Sequence, residues 1–309
     1  MKIVVAGATG FVGDGIVNNL RSAGHELIAI VHSPRSGEDL RANHPEITQV
    51  IADVSDDAAI RSVEGAFAGS DTLVYLPGLL RQFPKQGRTF QKVHVEGVRT
   101  LLASATRSGI SRWVQMSALG TRANAVTEYF KTKWQAEELV RASALDWTIL
   151  RPSIVFGTTP TKKISFVNEI AKVTRTAPLL PIFGDGNYRM QPIALEVVAD
   201  AVAKALNQKE TIHQSYDLGG PEKIAYEEIM RLISRAEGKN KPVVHIPFGL
   251  VEFMASLLDR FAVFPFTRDQ LTMLKEENIV HDPAREREFN EIFHPRKITF
   301  LEGLQGSLP

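Results

Sequence analysis

Apolar residues in this chain fall into short runs separated by longer stretches of helical spacing. The runs at Lys2–Ala6, Glu26–Val31, Thr48–Ile51, Thr72–Leu76, Arg112–Met116 and Thr148–Leu150 have strand length and are rich in Val, Ile and Leu, the make-up of strands buried on both faces. Between them lie amphipathic stretches that predict helices, among them Asp14–Ser22, 90–108 and Trp134–Ser143. Strands alternating with helices predict βαβ units, and therefore a doubly wound α/β fold with a parallel sheet covered on both sides. After Arg151-Pro152 the rhythm breaks: prolines stand at 152, 160, 178, 181 and 192, and strand-like runs thin out. A helix-period stretch through Val197, Val198, Ala201, Val202 and Ala205, followed by Ser215–Leu218, predicts a late return of the chain to the first sheet.

Directly after the first run the sequence reads Gly7-Ala-Thr9-Gly10-Phe11-Val12-Gly13. A glycine-rich turn between a strand and a helix lets backbone approach an anion with no Cβ in the way, and it aims unpaired N–H groups and the positive helix end at that anion. Three glycines alone are a weak signal. A strand before them, and a helix and second strand after them, make this a unit that holds a dinucleotide pyrophosphate. Gly7, Thr9, Gly10, Phe11, Val12 and Gly13 are its binding candidates. The expected division is a dinucleotide-binding Rossmann part, residues 1–151 plus about 191–219, and a smaller discontinuous substrate region, about 152–190 plus 220–309.

Composition narrows the chemistry. The 309 residues are 44% apolar, enough for a large core, and a formal charge of +1 points to neither nucleic acid nor an acidic partner. The absence of cysteine excludes a disulfide framework, a thiolate metal site and a cysteine nucleophile together. The histidines are scattered without metal-ligand spacing, so no metal is expected. The opening apolar run is too short for a signal peptide and no uninterrupted apolar run reaches ~18 residues, so a cytoplasmic protein without a membrane span is expected. The most apolar segment is 247–266, where Leu250, Val251, Phe253, Met254, Leu257, Leu258 and Phe261 fit a helical stripe interrupted by Glu252, Asp259 and Arg260. It reads as a core or lid helix of the substrate region, or as a surface for a membrane, a hydrophobic substrate such as a quinone, or a partner subunit.

A second constellation follows the fifth run. Ser117 closes it, and Tyr129-Phe-Lys-Thr-Lys133 opens a helix, with the tyrosine and lysine one turn apart on a shared face. A tyrosine titrates near 10 and needs a drop of about 2–3 units, roughly 3–4 kcal/mol, to exchange protons near neutrality; a neighbouring ammonium favours its anion. Ser117 is thus the candidate holder of a substrate oxygen, Tyr129 the acid/base and Lys133 its tuner, beside a nicotinamide that moves a hydride.

The glycine turn, Asp53-Val54, Leu76-Pro77-Gly78, Val93-His94-Val-Glu-Gly97, Ser117, Tyr129-x-x-x-Lys133 and Leu150-Arg-Pro-Ser-Ile-Val-Phe-Gly157 run through most of the chain. By them the chain resembles the extended or atypical short-chain dehydrogenases/reductases, the epimerase/dehydratase-like group. The stretch from Phe264 to Leu274 with Glu277-Asn278 is most similar to the branch of the NADPH-binding accessory subunit of respiratory complex I. The resemblance implies that Asp53 and Val54 flank an adenine and that Leu76, Pro77 and Gly78 line the cofactor. It also implies that Tyr129 and Lys133 touch the cofactor, and that Pro152, Ser153 and Ile154 lie near the nicotinamide. Where many members carry a proton-relay asparagine this chain has His94, read as a relay or as a packing residue. The helices 90–108 and 129–143 match those through which members pair into dimers, leaving monomer and homodimer open.

Three functions follow from these readings: an NAD(P)-dependent oxidoreductase of a small carbonyl or alcohol, an NADPH-binding structural or assembly factor of a respiratory complex without turnover, and a sugar-nucleotide epimerase or dehydratase. For the last, Lys162, Lys163, Arg175 and Arg189 are the candidate diphosphate clamp. At the end of the second strand Val31-His-Ser-Pro-Arg35 carries no carboxylate before Glu38, where an NAD site places one on the ribose 2′-hydroxyl. His32 and Arg35 can bracket a 2′-phosphate instead, so NADP(H) is expected over NAD(H).

Overall fold

The computed structural model describes residues 1–159, 161, 165–258 and 268–305; Lys162, Lys163 and the 259–266 part of the apolar segment lie outside the described residues. Strands β1 (Lys2–Ala6), β2 (Glu26–Val31), β3 (Thr48–Ile51), β4 (Thr72–Tyr75), β5 (Arg112–Met116) and β6 (Asp146–Pro152) come first. The short β7 (Val155–Phe156), β8 (Leu180–Phe183), β9 (Arg189–Met190) and β10 (Ile193–Ala194) follow, then β11 (Gln214–Leu218), β12 (Ile224–Ala225) and β13 (Val243–Ile246). The helices are α1 (Phe11–Ser22), α2 (Glu38–Asn43), α3 (Asp57–Val63), α4 (Gly97–Arg107), α5 (Glu128–Arg141) and α6 (Phe166–Thr176), then α7 (Leu195–Asn207), α8 (Tyr226–Ala236), α9 (Phe248–Leu258), α10 (Arg268–Lys275), α11 (Pro283–Phe293) and α12 (Phe300–Gln305).

Seven strands form one sheet in the order β3-β2-β1-β4-β5-β6-β11, and every neighbouring pair in it is parallel. This is the doubly wound Rossmann arrangement. The chain leaves β1 in one direction and resumes at β4 in the other, so the connections diverge there and open a crevice at the carboxyl ends. Alternation along β1 divides the core between the two faces: Ile3 and Val5 join Ile16, Leu20, Val198 and Val202 beneath α1 and α7, while Val4 and Ala6 join Phe67, Leu101, Trp113 and Val140 beneath α3, α4 and α5.

Two elements differ from their sequence expectation for identifiable reasons. The sixth strand runs on through Arg151 and Pro152, because β6 is held on both edges by β5 and β11 and because the Arg151 guanidinium is neutralised inside by Glu137 at 2.6 Å. The helix expected over 90–108 begins as a wider π turn, Gln91–Glu96, ahead of α4. The Tyr75 hydroxyl donates to the Val93 carbonyl at 2.5 Å, and a Cβ on Gly97 would run into that hydroxyl. The inserted side chain takes the carbonyl an α-helix would use, and the turn widens around it.

Beyond the carboxyl ends, β7 pairs with β10, β8 with β13 and β9 with β12. There Val251 of α9 and Leu271 of α10 bury against Phe183, while Leu250 and Phe253 on α9 are 51% and 61% exposed. The described part of the apolar segment is therefore divided between core and surface. Among the described residues no helix is long and apolar enough to cross a membrane.

Candidate active site

The glycine turn is shaped by three different constraints. Gly7 has φ +80°, and a Cβ on it would stand 2.9 Å from the Pro77 nitrogen in the loop after β4, so only glycine fits both the turn and its neighbour. A Cβ on Gly13 would run into the Gly7 carbonyl, which lets α1 lie directly on the turn. Gly10 is different. It is the N-cap of α1, no side chain caps the helix, and a Cβ there would meet only the Gly7 oxygen at 3.6 Å, an ordinary contact. The protein's own packing does not demand glycine at 10; the space belongs to the cleft. A dinucleotide pyrophosphate fits this cradle, with the first N–H groups of α1 as donors.

The cleft has a volume of about 640 Å³ and follows the crevice at the carboxyl ends. One half is walled by Gly7, Thr9, Gly10, Phe11, Val12, Gly13, His32, Asp53 and Val54, and the other by Ser117, Tyr129, Lys133, Pro152, Ser153 and Ile154, with Leu76, Pro77 and Gly78 between. Two sequence candidates do not reach the wall. Arg35 sits in an exposed 3-10 turn, Arg35–Gly37, beyond the end of β2. His94 lies behind the wall, 1% exposed. Its Nε2 accepts from the Leu79 N–H at 3.2 Å and its Nδ1 is 2.9 Å from the Thr132 hydroxyl, which therefore fixes the proton on Nδ1. Burial first, and the nearby Lys133 second, hold its pKa well below the ordinary value. With both nitrogens engaged and the ring stacked on Phe90, His94 ties the Leu79 loop to α5.

Thr127 caps α5 by accepting from the Phe130 N–H at 3.4 Å, and the first turn of that helix delivers Tyr129 and Lys133 to the cleft. Tyr129 is packed among Phe90, His94 and Phe130, and burial pushes it up to about 12. The downward shift expected from Lys133 is absent in the protein itself. Tyr129 accordingly keeps its proton at neutral pH, and its hydroxyl makes no hydrogen bond among the described residues while opening on the cleft. The Lys133 ammonium donates to the Met116 carbonyl at 3.3 Å, and burial brings it down to about 8, with Glu137 acting against that shift. The Ser117 hydroxyl donates to Glu137 Oε1 at 2.5 Å, with the Thr121 hydroxyl at 3.4 Å, so its proton is engaged within the wall and its lone pair faces a donor.

Residues 7–209 match the family described as NAD(P)H-binding. The chain belongs to that family. Within it the chain is of the extended short-chain dehydrogenase/reductase type and is similar to the mitochondrial NADH dehydrogenase [ubiquinone] 1 alpha subcomplex subunit 9 of Arabidopsis thaliana, at 26% identity over 91% of this chain and 71% of that one. It is also 24% identical to the N-acetyl-alpha-D-glucosaminyl-diphospho-ditrans,octacis-undecaprenol 4-epimerase of Escherichia coli O157:H7, over 81% of this chain and 76% of the other. Ceramide reductase of Caulobacter vibrioides is 23% identical over 90% and 84%. The fold is that of the UDP-glucose 4-epimerase of Thermotoga maritima, with a TM-score of 0.75 at 17% identity over 99% of this chain and 97% of that one.

Sequence reasoning passed over several residues of the site. Glu137 stands one turn after Lys133, so the i, i+4, i+8 series Tyr129, Lys133, Glu137 was visible as spacing. Asp53, already a candidate for the adenine side, follows β3 and comes within 3.9 Å of His32, a pairing that spacing along the chain does not show. Gln270, Met273, Leu274 and Asn278 line the cleft from α10 and the segment after it; they belong to the stretch that carries the branch resemblance, which assigned them no place in the site. The diphosphate clamp is not assembled from the described residues: Arg175 is paired with Glu237 at 2.5 Å and Arg189 with Glu277 at 2.9 Å, and neither lines the cleft.

Proposed function

We propose that the protein is an NADP(H)-dependent oxidoreductase that reduces a carbonyl compound, with Tyr129 as the proton donor. One observation carries this reading: Tyr129, whose hydroxyl makes no hydrogen bond among the described residues, lines the same cleft as a glycine cradle that fits a pyrophosphate. The nicotinamide would supply the hydride. Tyr129 holds a proton for the developing alkoxide and Lys133 favours the tyrosinate left behind. Ser117, held by Glu137, can accept from the hydroxyl of the alcohol once it has formed. Gly7 to Gly13 hold the pyrophosphate, Asp53 and Val54 flank the adenine, and His32 and Arg35 meet a 2′-phosphate. A cytoplasmic location belongs to this reading, with shallow contact at a membrane surface through the exposed Leu250 and Phe253.

Single-turnover oxidation of bound NADPH by a panel of aldehydes, ketones, quinones and sugar nucleotides tests it. Tyr129→Phe removes one hydroxyl, so turnover should fall by about 10²-fold or more while NADPH affinity holds. Unchanged turnover in that variant would move the chemistry elsewhere. A second reading has its own support: Ser117 has no proton for a substrate oxygen, and the chain resembles an NADH dehydrogenase subunit over 91% of its length. In that reading the nucleotide is structural, and NADPH binds but is never oxidised by any of the panel.

A further inference from the structure

Resting on the reductase reading, we infer that the substrate carries its carbonyl on a long apolar body, as a fatty aldehyde or an isoprenoid ketone does, and not on a sugar or a phosphorylated compound. The half of the cleft away from the glycine turn is walled by Leu79, Leu80, Phe130, Met190, Met273 and Leu274. Its polar side chains are already engaged within the protein. Ser117 donates to Glu137, Ser153 to the Gln191 carbonyl, Lys133 to the Met116 carbonyl and Gln270 to the Leu80 carbonyl. Asn278 uses both ends of its amide, accepting from the Ile154 N–H at 3.0 Å and donating to the Leu119 carbonyl at 3.4 Å.

A ligand bearing several hydroxyls would bury each of them against carbon or against groups whose bonds are already made, and each unmatched polar group weakens binding. A ligand with one oxygen loses nothing of this kind, because the Tyr129 hydroxyl and the remaining N–H groups of Lys133 converge as donors for a single oxygen. The two other cations on the cleft, Arg88 and Lys92, are exposed at the rim, in the segment leading to Gly97, which packs on Val54. Arg88 lies over the exposed Phe83 ring at 5.6 Å, and of the cleft's Lys and Arg side chains only Lys133 is buried, so no pair of cations converges inside the apolar half. Leu80, 51% exposed, marks where an apolar chain longer than the cleft would emerge.

The test uses the full chain with NADPH and n-alkanals from butanal to dodecanal, with a UDP-4-keto sugar and glyceraldehyde 3-phosphate as polar comparisons. In parallel, the corresponding alcohols are titrated by calorimetry in the presence of NADP⁺. Burying a methylene is worth about 0.8 kcal/mol, so both kcat/KM and alcohol affinity should rise about fourfold per added methylene until the body fills the cleft. Met273→Asn and the rim substitution Leu80→Asn should flatten that slope with NADPH affinity unchanged; Leu80→Asn, at an exposed position, keeps the test intact if Met273→Asn does not fold. A flat slope in both series, or preference for either polar comparison, overturns the inference even if Tyr129→Phe abolishes turnover. A rising alcohol affinity with no turnover of any aldehyde upholds the apolar class and sinks only the reductase reading.

Discussion

Ser117 donates its hydroxyl proton to Glu137 within the wall of the cleft, over 2.5 Å, and that bond joins the candidate site to the interior of the Rossmann sheet. Glu137 is fully buried. Its two oxygens also receive Arg151 at 2.8 and 2.6 Å and Arg141 at 2.6 Å, and Arg151 reaches on to Asp217 of β11 at 3.4 Å. The carboxylate on α5 therefore couples the helix carrying Tyr129 and Lys133 to strands β6 and β11. A buried ion pair of this kind adds little net stability over an apolar substitute, but breaking it strands a charge.

Arg151→Leu is accordingly expected to lower the unfolding free energy by about 3–5 kcal/mol, measured by urea denaturation. Ser117→Ala removes one charge-assisted bond while both arginines stay, for a loss of about 1–3 kcal/mol. Its turnover should drop only a few-fold, far less than that of Tyr129→Phe. Equal losses of turnover in the two variants would return Ser117 to the role of proton donor to the substrate.

The two later glycines of the turn should separate folding from binding. Gly13→Ala drives a Cβ into the Gly7 carbonyl and should destabilise the protein by several kcal/mol, because a rigid backbone contact cannot yield. Gly10→Ala meets only an ordinary contact, so its melting temperature should stay within a degree or two of the parent, roughly the change from 0.5 kcal/mol. NADPH affinity should nevertheless fall about tenfold or more, since the methyl enters the space the pyrophosphate needs. A Gly10→Ala protein that binds NADPH normally would remove the pyrophosphate from this turn.

Much of this site was legible from local pattern. Apolar runs and the glycine turn suffice for β1, α1 and β2, because each reports its neighbours through spacing alone. Tyr129 and Lys133 reached a common cleft for the same reason, one helical turn apart. What spacing does not show is long-range: Ser117 donates to a helix twenty positions on, His94 is engaged by Leu79 and Thr132, and Asp53 comes near His32 because β2 and β3 are adjacent. The apolar wall from Met273 and Leu274 comes from a helix distant in sequence, whose resemblance to a family branch assigned it no place in the site, and the tyrosine shift is set by burial, which no spacing reveals.

Cofactor preference can be read from Arg35. The guanidinium lies in the exposed turn after β2, where it can close on a 2′-phosphate, and the nearest acid to His32 is Asp53 at 3.9 Å. Arg35→Glu replaces attraction by repulsion at that phosphate, so the ratio of NADPH to NADH affinity should fall about tenfold, equivalent to roughly 1.4 kcal/mol. The measurement is fluorescence titration of both nucleotides at low and physiological salt. An unchanged ratio, or a parent protein that binds NADH as tightly as NADPH, refutes the preference.

Lys133 provides a pH test that needs no substrate. Burial holds its folded-state pKa at about 8, against 10.5 for the ordinary side chain. Below pH 8 the folded and unfolded chains both carry the proton, and the folded state bears the full penalty of a buried ammonium. Between pH 8 and 10.5 the unfolded chain binds more protons than the folded one, so stability rises with pH; above 10.5 neither is charged and the penalty is gone. Lys133→Met removes the charge at every pH while giving up one hydrogen bond to the Met116 carbonyl. At pH 7 the variant should be more stable than the parent by about 2 kcal/mol, two and a half pKa units at ~1.4 kcal/mol each less about 1.5 kcal/mol for the lost bond. The advantage should shrink steadily between pH 8 and 10.5. Urea titrations of both proteins at pH 7, 8.5 and 10 read this directly, and NADPH affinity of the variant should fall at the same time. If the parent is the more stable protein at pH 7, or the gap does not move with pH, Lys133 is held by Glu137 as a satisfied ion pair and the burial account of its pKa is wrong.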